Sequence, residues 1–177
     1  YELFSLLEQL GKVSRTNIVI GIFDRDNDKI LQAVNAQTSE FYSFGNKVYG
    51  FCIPIPEMRF RNNQTKISIE YLYSDAEIKT VLPNGCRLFF GTEFTKQSMW
   101  HNTESLTLKL PKGKGKDKII ENNGGQAVYD SNDTNFLAKK DDFVEAIING
   151  NVIISEESWH NFIPIFATIK NILVTND

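Results

Sequence analysis

The sequence predicts an α/β domain, a parallel sheet flanked by helices with added β-hairpins and a C-terminal helix. Three observations carry that expectation. The run Ile18-Val-Ile-Gly-Ile-Phe23 is apolar, rich in β-branched residues and interrupted only by Gly21. It reads as a strand buried on both faces. A second run, Val48 to Ile55, is stopped by Pro54 and Pro56, which cannot donate to a ladder. Between them, Lys29 to Phe41 carries Ile30, Leu31, Val34 and Phe41 at helical spacing. Strand, helix and strand in this order, within about 35 residues, have the size of a βαβ unit. Ile18–Phe23 and Val48–Ile53 are therefore expected side by side and parallel, joined by a right-handed crossover.

The other elements follow in chain order. Tyr1 to Val13 places Leu3, Phe4, Leu6, Leu7, Leu10 and Val13 at helical spacing, weakened at its end by Gly11. Gly45-Asn46 marks a turn. Ile67-Ser-Ile-Glu70 alternates and passes into a helical pattern reaching Lys79. Pro83-Asn-Gly85 is a turn, and Cys86 to Phe90 reads as a short strand. Leu106, Leu108 and Leu110 alternate with polar residues, as in a half-exposed strand. Asn122-Asn-Gly-Gly125 is a further turn before a short strand at Gln126 to Tyr129. Asp141 or Asp142 caps a helix over Phe143, Val144, Ile147 and Ile148, closed by Asn149-Gly150. Ser155 opens the last helix, with Trp159, Phe162, Ile163, Phe166, Ile169 and Ile172 on one face. Pro164 should kink that helix or delay its start.

At 177 residues the chain fits a single domain. Its hydrophobic fraction of 41% and charged fraction of 23% are ordinary for a globular protein. A net charge of -3 excludes a uniformly basic nucleic-acid binder, so any such role falls to a local patch. Cys52 and Cys86, each in or beside an apolar run, define no disulfide framework or zinc spacing. They predict reduced thiols and a cytoplasmic protein. No apolar stretch approaches a membrane span, and no signal-peptide pattern opens the chain. The start within a helical pattern, without Met, predicts a fragment of something longer.

The chemistry concentrates where the first strand ends, in Asp24-Arg-Asp-Asn-Asp28. Ligands of open α/β sheets sit beyond the carboxyl ends of strands. Carboxylates crowded there repel one another unless a cation or a basic partner lies between them. Alternate residues of an extended chain point the same way, so Asp24 and Asp26 could converge on one Mg2+ or Mn2+. The plain alternative is a polar turn. An EF-hand is excluded, because its sixth position would be Lys29 instead of Gly and its twelfth Asn35 instead of Glu. The lysines at 109, 112, 114, 116 and 118 could neutralise phosphates or form a solvated loop. His101 and His160 show no ligand spacing.

The strand ending in Phe23-Asp-Arg-Asp-Asn-Asp28 resembles the second acidic motif of Toprim domains. These occur in topoisomerases, primases and the overcoming-lysogenization-defect (OLD) family of nucleases. Ile67-Ser-Ile-Glu-Tyr-Leu-Tyr-Ser-Asp75, Arg87-Leu-Phe-Phe-Gly-Thr-Glu-Phe94 and Lys140-Asp-Asp-Phe143 look like bacterial OLD-like proteins. Those usually follow an ATPase domain in phage-defence systems. The resemblance implies a Toprim-like fold and metal-dependent cleavage of DNA. Asp24 and Asp26 would hold Mg2+ or Mn2+, with Asp28 an outer partner or helix cap. Glu70 would help a second ion, and Lys140 would stabilise charge on the phosphorane. The family also carries a Glu on a strand preceding the first helix. That strand is missing here, and Glu2 and Glu8 lie in the wrong context to replace it, so the chain alone is expected to bind divalent metal weakly and to cleave DNA poorly or not at all. The expected partners are DNA, an ATPase domain N-terminal in the same chain, and another copy in a homo-oligomer. The rival readings are a non-catalytic interaction or sensing module, and primase-type nucleotidyl transfer.

Overall fold

Leucines at three- and four-residue spacing wind Glu2–Leu10 into helix α1, which buries Leu7 and leaves Leu3 and Leu6 exposed. The structure, a computed structural model, describes residues 2–35, 40–95, 97–102, 119–122, 127–130, 132 and 134–175. The chain divides into two compact units, residues 1–72 with 156–177, and residues 73–155.

In the first unit, β1 (Val19–Phe23) is followed by α2 (Asp28–Val34), β2 (Tyr42–Gly45) and β3 (Val48–Cys52). β1 and β3 are adjacent and parallel, in register from Val19 opposite Val48 to Phe23 opposite Cys52. The sheet is mixed, however, in the order β1-β3-β2, because β2 runs antiparallel to β3. The α/β class therefore holds, with a small mixed sheet in which the parallel pair β1 and β3 is extended by a hairpin. The expected helix to Phe41 stops at Val34, where Asn35 caps it. Asn46 and Lys47 both have positive φ, at 46° and 62°, and Gly45 pairs with Val48 across them. That is the two-residue turn whose twist suits a hairpin. Phe41 lies in neither α2 nor β2, and its ring packs edge-on against Tyr49 of β3 at 5.5 Å.

One face of the sheet carries Phe23 and Val48 against Leu7 of α1 and Ile30 and Val34 of α2. Gly21 lies on that face, and a Cβ there would collide with Leu7. The opposite face is only partly covered, since Ile22 is 37% exposed, so β1 is not buried on both sides. Gly11 closes α1 with its N–H on Leu7 O at 2.8 Å and accepts from Asn46 Nδ2 at 2.6 Å. A Cβ at Gly11 would run into the Phe44 carbonyl. Backbone cannot move aside as a side-chain tip can, so Gly11→Ala should destabilise this unit by about 1–3 kcal/mol, read as a lower urea midpoint. α3 (Glu57–Arg61) follows β3, and Ile69–Leu72 forms a 3₁₀ turn.

The second unit contains α4 (Asp75–Ile78), β4 (Phe89–Phe90), β5 (Ile119–Ile120) and α5 (Lys140–Ile148). α4 is capped by Ser74 and Glu77 reciprocally, with Ser74 N–H on Glu77 Oε2 at 2.7 Å. This cap and the 3₁₀ turn replace the continuous helix expected to Lys79. β4 pairs antiparallel with β5, and Arg87 bridges to Leu137 in parallel. Phe89, Phe94, Ile120, Val128 and Leu137 form the core. α5 begins at Lys140, and Asp142 Oδ2 accepts the Lys139 N–H at 3.0 Å, so the cap comes from inside the first turn. Gly150 closes it with φ 72°. The strand expected at Leu106–Leu110, the lysine run to Lys118, residues 123–125 of the expected turn and Gln126 lie outside the described residues.

The chain returns to the first unit with α6 (Glu156–His160) and α7 (Ile163–Val174), and Pro164 stands in the first turn of α7. The break resets the helical phase. Ile165 and Ile172 are buried, whereas Trp159, Ile163 and Phe166 of the expected apolar face are exposed.

Candidate functional site

The acidic turn begins where the sheet ends. Phe23 O accepts from Ile53 N at 2.9 Å, and the next residue is Asp24. The chain bends at Arg25, so residues 24–26 do not continue the extended alternation that would aim Asp24 and Asp26 alike. Asn27 then caps α2, its Oδ1 accepting from Lys29 N at 3.1 Å and Ile30 N at 3.3 Å. The cap is therefore Asn27 and not Asp28. Asp28 pairs with Lys66 at 2.7 Å across an exposed surface, a basic partner of the kind that crowded acids require.

Residues 67–70 lie along this turn. Arg25 N donates to Ile67 O at 2.8 Å, and Ile69 N donates to Asp24 Oδ1 at 2.9 Å. Glu70, distant in sequence, is thus attached one residue from the group that holds Asp24. Glu70 is 9% exposed and accepts from Ser68 Oγ. Glu70 is thus a buried carboxylate in the first turn of the 3₁₀ helix. That turn is held by Arg59, fully buried, whose Nε donates to Tyr71 O at 3.0 Å. A neighbouring thiol senses the same edge. Burial pushes the Cys52 thiol up, the positive charge of Arg25 draws it down, and Asp24 raises it again.

Carboxylate oxygens suit a hard cation, and Mg2+ commonly takes one or two of them and completes its octahedron with water and phosphate. Asp24 and Asp26 meet that requirement in chemistry, with one Asp24 oxygen already accepting from Ile69. Among the described residues, no three His, Cys, Asp or Glu side chains gather as a metal-holding group.

Lys140 belongs to the second unit and Asp24, Asp26, Asp28 and Glu70 to the first. Lys140 Nζ lies 3.9 Å from Glu121 Oε1, and its N–H reaches Glu121 Oε2 at 3.4 Å. Both side chains are partly exposed, so Lys140→Ala should cost under about 1 kcal/mol of stability, and a thermal melt near that of the parent checks it.

The second unit also holds a cluster that the sequence reading left without a role. Arg87 Nη2 and Nη1 contact Glu93 Oε2 and Oε1 at 2.8 and 3.2 Å, and His101 Nε2 meets Glu93 Oε2 at 3.1 Å. The Arg87 guanidinium stacks on the Phe89 ring at 3.6 Å. Burial pushes the Glu93 carboxyl up, but Arg87, the Phe90 N–H and His101 together bring it below the ordinary glutamate range. The signal was two charges, Arg87 and Glu93, inside an aromatic run, because buried charges come paired.

Comparison with family models, curated proteins and solved structures finds no match to this chain. Among the described residues no helix is long and apolar enough to cross a membrane.

Proposed function

We propose that this chain is the nuclease portion of an OLD-like ATPase-nuclease of phage defence, hydrolysing DNA phosphodiesters with Mg2+ or Mn2+. The observation that supports this reading is the meeting of Asp24 with the Ile69–Glu70 turn at the carboxyl ends of the parallel pair β1 and β3. Asp24 and Asp26 would hold one ion, and Glu70 would help a second. A bound divalent ion would lower the pKa of an attacking water and offset charge on the leaving oxygen. Lys140 is assigned to offset charge developing on the phosphoryl oxygens. As the attacking water's oxygen bonds to phosphorus its proton passes to solvent, and the bond to the leaving 3′ or 5′ oxygen breaks as that oxygen takes a proton from solvent. DNA, the ATPase domain and a second copy are the partners of this reading, and the cytoplasm is its compartment.

The test is Mn2+ binding by calorimetry, with metal-dependent cleavage of plasmid and linear DNA beside it, for the parent chain and Asp24→Asn. Loss of Mn2+ binding in Asp24→Asn supports the reading, and equal binding by both removes it. A second reading, a non-catalytic interaction module, draws on the commitment of Asp24 Oδ1 to a backbone N–H. It expects no carboxylate-dependent Mn2+ binding by calorimetry.

A further inference from the structure

Arg25 stands between two acids in sequence, yet among the described residues its guanidinium forms no ion pair. Its side chain makes one long hydrogen bond, Nη1 to Ile53 O at 3.4 Å. Its Nε is buried and meets no acceptor. A buried donor left unsatisfied is costly and calls for an explanation. The backbone of Arg25, in contrast, is fixed on Ile67 O at 2.8 Å. The side chain therefore projects from an anchored turn with donor capacity unmet.

Its location is defined by two further facts. Ile53 and Phe23 stand at the carboxyl ends of β3 and β1, joined by the Ile53 N–H on Phe23 O, and the Arg25 guanidinium reaches to Ile53 O. The Cys52 thiol feels the charges of both Arg25 and Asp24, which puts cation and carboxylate around one point of the sheet edge. Planar guanidinium forks match the oxygens of phosphate.

We propose that Arg25 is a phosphate-binding residue, its guanidinium taking the non-bridging oxygens of a DNA phosphodiester at the carboxyl ends of β1 and β3. The choice of DNA rests on the nuclease reading above. Arg25 fixes the phosphate beside Asp24, and the phosphate supplies acceptors that the protein does not. The surrounding acids Asp24, Asp26 and Asp28 would otherwise repel it, Asp28 being already paired with Lys66. Removal of this one cation should thus be felt strongly.

The experiment is binding of a short labelled DNA duplex to the 177-residue chain, followed by anisotropy across a salt series, in EDTA and in Mg2+. Arg25→Gln should weaken binding about tenfold or more and lower the slope of log affinity against log salt by about one. Arg25→Lys should keep the slope and lose part of the affinity, because the charge remains without the fork. Parent-like affinity and slope for Arg25→Gln in both conditions would overturn the proposal, as would no duplex binding by the parent chain. Should Arg25→Gln melt early, inorganic phosphate titrated onto the parent chain carries the test through the Arg25 Nε–H NMR signal, and an unmoved signal overturns it. Arg25-dependent binding with Mn2+ binding unchanged in Asp24→Asn would sink the nuclease reading and leave Arg25 standing. Cleavage with unchanged binding in Arg25→Gln would do the reverse.

Discussion

Glu93→Gln is expected to destabilise the second unit by about 3–5 kcal/mol, the scale of breaking a buried pair by removing one partner. The side chains of Arg87, Glu93 and His101 are 9%, 10% and 3% exposed. Without the Glu93 charge, Arg87 loses its two-point carboxylate partner while its guanidinium stays buried over the Phe89 ring, with Leu88 O at 3.0 Å. Urea unfolding followed by a probe in this unit measures the loss. Replacing Arg87 and Glu93 together by apolar residues of similar volume should cost less than the single change, because no charge is stranded. A single and a double variant of equal stability would show that the pair is not coupled. The pH dependence has a defined sign. The folded carboxyl of Glu93 titrates below its ordinary value, so its contribution is complete above the unfolded pKa and is lost as pH falls through the folded one. Glu93→Gln should flatten that acid limb and leave neutral-pH behaviour without a new transition.

Asp24→Asn is expected to lower metal-dependent DNA cleavage on the order of 100-fold or more, the scale of several kcal/mol of transition-state charge stabilisation. Asn is the informative replacement. Its amide oxygen can still accept the Ile69 N–H that Asp24 Oδ1 accepts at 2.9 Å, so the 67–70 segment keeps its tether while the charge disappears. Asp24→Ala removes charge and tether together and should cost an additional ~1 kcal/mol of stability. If the two variants differ in melting but lose cleavage equally, the charge of Asp24 serves chemistry and its geometry serves the fold. If Asn retains activity and Ala alone fails, Asp24 is a structural anchor and the metal assignment falls.

Several parts of this molecule were legible locally. The apolar runs ending at Phe23 and beginning at Val48 became adjacent parallel strands, since their two buried segments flank a short helix and must share a sheet to satisfy their backbones. Asn149-Gly150 ended α5 and Pro164 delayed α7, because φ constraints act on single residues regardless of the rest of the chain. The acidic strand end was equally visible as composition.

Pairings over long separations were decided by the tertiary structure. Tyr42–Gly45, beyond the expected helix, became a strand because β3 offered a ladder across the Asn46-Lys47 turn. Asp24 met Ile69, Asp28 met Lys66, and Glu93 gathered Arg87 and His101. Periodicity reports only which face of an element is buried. A charged side chain selects its partner by the desolvation it must offset, and that partner is fixed only when packing brings separate segments together.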